Sequence, residues 1–454
     1  MARIYPFRAL RYNPSQVRLQ DVVTQPYDKI TPGMQQKYYD RSPYNLVRII
    51  LGLPELFDNE QNNVYTRAAA SFTAWRKAGV LAAENDPAVF AYAQRYTVPG
   101  TSGVVRERRG FIALGQLYDY AQNVVFRHEQ TLSKPKSDRM NLLQATRAHC
   151  EQIYMLYSDP SYSTENILFA GNSVPDLEVT DDYGVSHRLW KVTDPGTINI
   201  LCSAMEDKKL IIADGHHRYE TALAYSKECA PPGADAPGAR SQTGSQTSNH
   251  ARPAFPEAAV MMTFVNMDAE GITILPTHRV VFGLDNFDAA EFLAKAEPFF
   301  DIKPITTQDA AEVTQQLVSA GQKTSRQTST AFVAVTRQGR HLLTAKKAAV
   351  DAALAAIPAR QRQLDVVQLH GLVLEQLLGI TPEAIREQRN LRYLREASEA
   401  MEQVASADAQ IAFLINPVTL DQLREVAFAG EVMPQKSTDF YPKLLSGLTF
   451  YALD

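Results

Sequence analysis

Residues 208–225 have the sequence KKLIIADGHHRYETALAY, which carries the strongest fold signal in the chain. Leu210 to Ala213 form a short apolar run that is typical of a buried strand. From Tyr219 onward, apolar residues recur at the three- and four-residue spacing of a helix. Asp214 to Arg218 lie between these two patterns. We therefore predict a buried strand that passes through a tight turn into a helix opening near His217.

The predicted turn also has the composition of an anion-binding site. Gly215 can adopt a positive φ and lets a ligand approach the backbone, and the amides after it lie at a helix N-terminus, where anions bind. Arg218 can bind a phosphate group through two parallel hydrogen bonds, and His216 and His217 add further donors. In the alternative interpretation, Asp214 is only the N-cap of the helix and the histidines are ordinary surface or core residues. The concentration of polar groups between two apolar segments favours the site.

Outward from this turn, strand and helix patterns follow one another irregularly. Strand-like segments are residues 88–93, 109–114, 152–157 and 258–265. Helical spacing covers residues 63–78, 287–300 and 363–378, and a further helix is predicted to start with Pro382. Because these patterns mix without a strict β-α-β alternation, we predict an α+β, or mixed α/β, fold.

The domain organisation is predicted from length and composition. A chain of 454 residues corresponds to two or three domains, or to one large domain with insertions. Residues 230–256 are rich in Pro, Gly, Ser, Gln and Thr, which predicts a flexible low-complexity loop. We expect residues 1–229 and 257–454 to form the two parts of one catalytic core.

Charge and cysteine usage exclude several functional classes. The net charge of −4 disfavours a protein that mainly neutralises nucleic-acid phosphates. Three cysteines without a CxxC pair disfavour a disulfide framework and a zinc site. The N-terminal residues MARIYPFR lack the apolar segment of a secretory signal, and no apolar stretch is long enough to span a membrane. We therefore expect a cytoplasmic protein that acts on small molecules without membrane contact.

Four further segments carry candidate site residues, although residues 127–140 alone are equally typical of a loop, and the two short segments alone are more typical of a turn or strand end. They are Gln25-Pro26-Tyr27-Asp28, residues 127–140 with Glu129, Lys136 and Arg139, residues 276–279 with His278 and Arg279, and residues 433–448 with Lys436, Ser437, Thr438 and Lys443. These side chains supply carboxylates, cations and hydroxyl donors that suit a phosphate group. The GxSxG, HExxH, GxGxxG and P-loop patterns are missing, so serine hydrolases, zincins, Rossmann dehydrogenases and P-loop enzymes have no motif support.

Along nearly its whole length, the chain resembles the bacterial and archaeal family catalogued as domain of unknown function 1015. The resemblance rests on five ordered segments: Gln25 to Asp28, His128-Glu129 with Lys136 to Arg139, Ala213 to Tyr219, Leu275 to Arg279, and Met433 to Leu448. The chain departs from the family pattern where Gln25 replaces a proline and where Asp439 replaces an aromatic residue. The loop after Cys229 also resembles an insertion.

The Asp-Gly-His-His-Arg turn is similar to the phosphate-binding turn of the ParB/sulfiredoxin-like fold, which includes ADP-dependent free serine kinases. This second resemblance implies a ParB/sulfiredoxin-like core with large additions. It further implies a phosphoryl-transfer enzyme of serine metabolism, acting between O-phosphoserine or serine and an adenine nucleotide or water, with Mg²⁺ as a cofactor.

On this interpretation, Asp28 or Glu129 is the catalytic base, Asp214 orients the turn, and His217 takes part in catalysis. The remaining candidates bind substrate or phosphate: Gly215, His216, Arg218, Lys136, Arg139, His278, Arg279, Lys436, Ser437, Thr438 and Lys443. All of these residues are expected to converge on one site. Two alternatives stay open at this point, a ParB-like nucleotide-binding regulator and a metabolite phosphatase that needs no nucleotide. The sequence defines neither a metal-binding residue nor the oligomeric state.

Overall fold

The computed structural model describes residues 2–129, 133–171, 174–232, 252–321 and 330–454. Most of the predicted low-complexity loop, residues 233–251, therefore lies outside the described residues. The chain divides into two compact units. Unit 1 comprises residues 1–127, 131–272 and 442–454, and unit 2 comprises residues 128–130 and 273–441.

The strands in chain order are β1 (Ile4–Tyr5), β2 (Leu10–Tyr12), β3 (Leu81–Ala83), β4 (Val89–Thr97), β5 (Val105–Gln116), β6 (Val125–Phe126), β7 (Ala148–His149), β8 (Ile153–Tyr157), β9 (Leu177–Thr180), β10 (Ser186–Val192), β11 (Leu210–Asp214), β12 (Ala259–Asn266), β13 (Thr273–Leu275), β14 (His278–Val281), β15 (Phe300–Ile305), β16 (Ala331–Thr336), β17 (Gly339–Ala345), β18 (Leu391–Leu394), β19 (Ile411–Ile415), β20 (Asp439–Tyr441) and β21 (Tyr451–Ala452).

The helices are α1 (Leu19–Val22), α2 (Pro32–Arg41), α3 (Val47–Ile50), α4 (Val64–Lys77), α5 (Ser133–Thr146), α6 (Ser163–Leu168), α7 (Pro195–Met205), α8 (His216–Cys229), α9 (Ala289–Ala296), α10 (Ala310–Ala320), α11 (Lys347–Ala353), α12 (Asp365–Gln368), α13 (Pro382–Arg386), α14 (Ala397–Ala405) and α15 (Leu420–Phe428). A π-helix, Leu369–Leu377, continues α12, and short 3₁₀ helices include Tyr27–Lys29. The predicted mixed α/β fold class is confirmed.

Unit 1 is built on a nine-stranded mixed sheet with the order β6-β11-β8-β12-β5-β4-β10-β9 and β1 paired to β5. Strand β8 pairs antiparallel with β11 and parallel with β12. The strands predicted on either side of the low-complexity segment therefore do belong to one sheet. Helix α8 buries Tyr219, Ala222 and Leu223 against this sheet, in the same core cluster as Ile212 and Met262. This packing fixes the first turn of α8 at the end of β11.

Unit 2 contains a six-stranded antiparallel sheet with the order β15-β17-β16-β19-β14-β18. Helices α10 and α14 contribute Val313, Leu317 and Val404 to its core. Among the described residues, no helix is long and apolar enough to cross a membrane.

Two predicted helices differ from the structure in their bounds or type. The segment predicted as one helix over 287–300 contains only α9, and Phe300 already starts β15. The 363–378 segment is helical, but its second half has π rather than α geometry. Helix α5 begins at Ser133 and has Pro135 in its first turn, where a missing N–H costs nothing.

Candidate functional site

The predicted strand, turn and helix are present, and the turn forms an open helix N-terminus. Gly215 is the N-cap of α8, with φ of +93°, and contributes no side-chain capping bond. Glycine adopts this left-handed conformation without strain. The part of the alternative interpretation in which Asp214 caps the helix is therefore wrong. A shift in the register of β11 against β8 between Ile212 and Asp214 marks a bulge just before the turn, and such bulges change the direction of a side chain.

Asp214 binds two cations, one on each carboxylate oxygen. Arg218 Nη2 lies 2.9 Å from Oδ2, and Lys443 Nζ lies 3.1 Å from Oδ1. Burial alone raises the pKa of Asp214, but the charges of Lys443, Arg218 and Lys29 outweigh burial and hold this pKa well below its usual value. The carboxylate is therefore ionised at neutral pH. Arg218 and Lys443 therefore share one carboxylate beside the positive end of the α8 dipole.

The Arg218 guanidinium lies directly on Gly215. A Cβ atom added to Gly215 would lie 3.1 Å from Cζ, Nε and Nη2 of Arg218. Nη1 donates to the carbonyl of Gln152, whereas Nε is buried and has no partner among the described residues. Burial alone lowers the pKa of Arg218, but the charges of Glu151, Asp214 and Asp28 raise it. Arg218 therefore stays cationic and keeps one unused donor in the cluster.

The segment with Asp28 forms the 3₁₀ helix Tyr27–Lys29. Its backbone is fixed by Glu151, whose Oε1 accepts from the amide of Tyr27 at 3.0 Å, and by Arg139, which stacks 4.0 Å from the centre of the Tyr27 ring. Asp28 is exposed, and its carboxylate forms no hydrogen bond or ion pair with another described residue. The charge of Asp28 contributes, after those of Glu151 and Asp214, to raising the pKa of Arg218.

The two histidines of the turn lie in the first turn of α8 together with Arg218. His216 is buried and His217 is half-buried. His217 is therefore the more accessible of the two.

The two candidate cations on α5 both have acidic partners within unit 1. Lys136 Nζ lies 3.1 Å from Glu220. Arg139 is buried and binds Asp138 Oδ2 through Nε at 2.9 Å, and its Nη1 lies 3.6 Å from Glu151. Arg139 therefore connects to the Asp28 segment through both Tyr27 and Glu151, whereas Lys136 interacts on the opposite side with α8.

A buried arginine that the sequence pattern does not reveal, Arg108, holds the segment carrying Lys443. Arg108 is 1% exposed, and it donates to Gln94 Oε1 at 3.0 Å and to the carbonyl of Pro442 at 2.6 Å. Gln94 in turn donates to the carbonyl of Lys443 at 2.9 Å. The surrounding RERR sequence resembles an exposed strand end. The only signal of burial is that Arg108 shares the strand face of the buried Ile112.

Within unit 2, Glu129 fixes the loop that contains Ser437 and Thr438. Its Oε1 accepts from the amide of Ser437 at 3.1 Å and from the amide and hydroxyl of Thr438 at 3.3 Å each. The His128 ring nitrogen Nε2 lies 2.8 Å from the same hydroxyl. The Glu129 carboxylate is thus engaged in holding this loop.

Arg279 supports the same loop of unit 2 from inside. It is fully buried and donates to the carbonyl of Lys436 at 3.1 Å and to His370 Nε2 at 3.2 Å. Burial lowers the pKa of Arg279 to about 10 and that of His278 to about 4, and the neutral His278 ring accepts from the amide of Ile415. Lys436 has φ of +57°, and its half-buried ammonium group forms no contact with another described polar group.

The candidate residues therefore fall into two sets. Unit 1 holds Asp28, Lys136, Arg139, Asp214, Gly215, His216, His217, Arg218 and Lys443, and unit 2 holds Glu129, His278, Arg279, Lys436, Ser437 and Thr438. In the part of the chain that the structure describes, no group of three His, Cys, Asp or Glu side chains is placed to hold a metal ion.

The family described as "Protein of unknown function (DUF1015)" matches residues 4–367, and the chain belongs to this family. The membership predicted from the five segments is thus confirmed. No curated protein matches the chain.

Several solved structures are similar to the chain at low identity. A free serine kinase in complex with AMP is 12% identical, with 70% of this chain and 83% of that chain covered and a TM-score of 0.34. A conserved hypothetical protein from Pyrococcus furiosus is 10% identical, with coverages of 72% and 91% and a TM-score of 0.34. C-terminally truncated SbnI from Staphylococcus aureus is 11% identical, with coverages of 74% and 85% and a TM-score of 0.33.

Proposed function

We propose that the chain is a phosphoryl-transfer enzyme acting between O-phosphoserine or serine and an adenine nucleotide. One observation carries this proposal: Arg218 and Lys443 share the single carboxylate of Asp214 at the open N-terminus of α8. Phosphoryl transfer needs positioned positive charge more than covalent chemistry. This arrangement supplies two buried cations and a helix N-terminus around one small turn.

The two cations have defined tasks in this proposal. Arg218 would bind a phosphate group through its guanidinium fork, with Asp214 holding the fork against Gly215 until the substrate arrives. Lys443 would neutralise a second phosphate oxygen as a point charge. His216, His217, Lys136 and Arg139 would complete the wall around the substrate.

Asp28 is the proposed base. In the direction from serine, its carboxylate would take the proton of the serine hydroxyl while the oxygen attacks the terminal phosphate of ATP, giving O-phosphoserine and ADP; the opposite direction gives serine and ATP. A base must have an accessible, unengaged acceptor, and Asp28 meets this requirement, whereas Glu129 is engaged with the backbone of unit 2.

The candidates of unit 2 keep a separate proposed role. Lys436, Ser437 and Thr438 would bind a phosphate group on the loop that Glu129, His278 and Arg279 hold in place. Mg²⁺ in phosphoryl-transfer enzymes is usually held by one or two carboxylates together with phosphate oxygens and water. Because the described residues offer no cluster of three ligands, we propose that Mg²⁺ enters together with the nucleotide.

The first test is a set of assays on the purified full-length chain with Mg²⁺. We expect O-phosphoserine and ADP together to yield serine and ATP in equal amounts. Phosphate release from O-phosphoserine without ADP would instead identify a phosphatase, and hydrolysis of nucleotide without an amino acid would identify a nucleotide-binding regulator. The absence of turnover with every combination would contradict the proposal.

The second test replaces the proposed base. Asp28→Asn should lower kcat by about a hundredfold or more, since general bases contribute on this order, while nucleotide binding measured by calorimetry stays unchanged. Asp182→Asn is the matched control, because Asp182 is an acid of the same unit that pairs with Arg41 at the surface. Equal turnover of Asp28→Asn and the control would remove Asp28 from the mechanism.

A further inference from the structure

Unit 2 contains a cavity of about 1050 Å³, counting the space open to solvent, that the proposed function does not use. Its wall is largely apolar and includes Ile357, Val367, Ile385 and Met433. Ligand pockets typically have this character, an apolar lining with a few polar groups that fix the orientation of the ligand.

Two opposite charges line this cavity without neutralising each other. Glu375 and Arg386 both belong to its wall, and neither forms a hydrogen bond or an ion pair with another described residue. Glu375 is half-buried, and burial raises the pKa of its carboxyl. A carboxylate in an apolar wall is costly unless a cation approaches it. The cavity therefore offers one site for a cation and one for an anion.

The backbone around Glu375 is unusual in the way that functional sites often are. Glu375 and His370 lie on the π-helix Leu369–Leu377, and π-helical turns occur frequently at functional sites. The wider turn of a π-helix places residues i and i+5 nearer to the same face of the helix than an α-helix does. His370 and Glu375 have this spacing, and both line the cavity. His370 is 4% exposed and is fixed by Arg279, which donates to its Nε2.

We propose that this cavity binds a free α-amino acid with an apolar side chain, with the ligand's ammonium group at Glu375 and its carboxylate at Arg386. The apolar wall would take the side chain of the ligand. A zwitterion satisfies both unpaired charges at once, which a simple amine, a simple acid or a hydrocarbon does not. This site lies within unit 2 and does not depend on the proposed phosphoryl transfer.

The test is calorimetric titration of the full-length chain with L-leucine as the probe. We expect leucine to bind, and glycine, 3-methylbutylamine and 4-methylpentanoate to bind at least about tenfold more weakly, because each lacks one of the three recognised groups. Equal binding of leucine and 4-methylpentanoate would overturn the ammonium contact, and the absence of leucine binding would overturn the whole proposal.

Three variants separate this site from other amino-acid sites. Glu375→Gln and Arg386→Gln should each weaken leucine binding about tenfold without a change in melting temperature. Glu383→Gln, on the same short helix as Arg386 and paired with the exposed Arg389, is the matched control and should bind like the unchanged chain. Arg218→Ala should also bind leucine normally. Loss of binding in Arg218→Ala, or unchanged binding in Glu375→Gln, would overturn the proposal.

Discussion

At the scale of single residues, Arg218 is the side chain on which the proposed chemistry depends most. Its guanidinium is fixed by Asp214, by the Gln152 carbonyl and by contact with Gly215, and its Nε is unused. We expect Arg218→Ala to lower turnover by about a hundredfold or more, as the loss of one transition-state charge contact does. Arg218→Lys should fail as well, because an ammonium group cannot reproduce the planar fork.

The matched control for Arg218 is Arg67→Ala. Arg67 belongs to the same unit and pairs with Asp58 at the surface, where ion pairs contribute little to stability. Turnover and melting temperature measured on both variants distinguish an anion-binding role of Arg218 from that of a surface ion pair. Turnover of Arg218→Ala at the level of the control would exclude an anion-binding role for the turn.

Asp214 gives a prediction about pH, because its pKa is depressed in the folded chain. A depressed pKa stabilises the fold above the pKa of the unfolded chain, about 3.9, and this contribution disappears as the pH falls toward the lower folded-state value. Asp214→Asn removes the carboxylate that Arg218 and Lys443 share and should cost about 3 kcal/mol at pH 7. Urea unfolding should show this difference shrinking below about pH 4. A difference that stays constant with pH would contradict the ionic role of Asp214.

At the scale of secondary-structure elements, the junction between β11 and α8 could be predicted from sequence because every signal for it is local. The apolar run, the glycine and the helical spacing lie within one short segment, and each specifies the backbone near it. The start of α5 and the π-helix could not be predicted in this way. The apolar stripe through residues 363–378 fits an α-helix and a π-helix equally, since the choice depends on packing around Leu369 to Leu377.

The junction itself can be tested by Gly215→Ala. The added methyl group would lie 3.1 Å from the Arg218 guanidinium, and the φ of +93° is strained for alanine. We expect a loss of stability of about 1–2 kcal/mol from the backbone and, in addition, a loss of turnover comparable to that of Arg218→Ala. Gly100→Ala is the control, because Gly100 has φ of +72° in the same unit with no atom within 4 Å of the added methyl.

This control separates strain from displacement of the guanidinium. Gly100→Ala should show the loss of stability alone, without any loss of turnover. If Gly215→Ala loses stability but keeps full turnover, the close approach of Arg218 to Gly215 does not matter for activity.

At the scale of the whole molecule, the division into units had no sequence signal. The chain leaves unit 1 after residue 272 and returns to it at residue 442, whereas the composition marks only the low-complexity segment 230–256. Lys443 could be selected from sequence as a cation, but not as a partner of Asp214. That pairing depends on Arg108 and Gln94, which bind the carbonyls of Pro442 and Lys443 across long sequence separations.

The C-terminal segment, residues 442–454, belongs to unit 1, and we expect unit 1 to need this segment in order to fold. It buries large apolar side chains, including Leu448, Phe450 and Leu453, and β21 pairs with β7. Removing a single buried phenylalanine typically costs about 3–5 kcal/mol, so losing several such groups together is comparable to the whole stability of a domain, about 5–15 kcal/mol. A chain that ends at Tyr441 should therefore lose the fold of unit 1.

Hydrogen exchange measured by mass spectrometry can follow each unit in this truncated chain. We expect the amides of β5 and β8 to lose protection, because they belong to the sheet of unit 1, while β16 and β19 keep protection in the antiparallel sheet of unit 2. A chain that lacks only Asp454, whose carboxylate pairs with Arg76 at the surface, should keep protection in both sheets. Protected β5 and β8 in the chain ending at Tyr441 would show that unit 1 folds without its C-terminal segment. The role of that segment would then be limited to placing Lys443 beside Asp214.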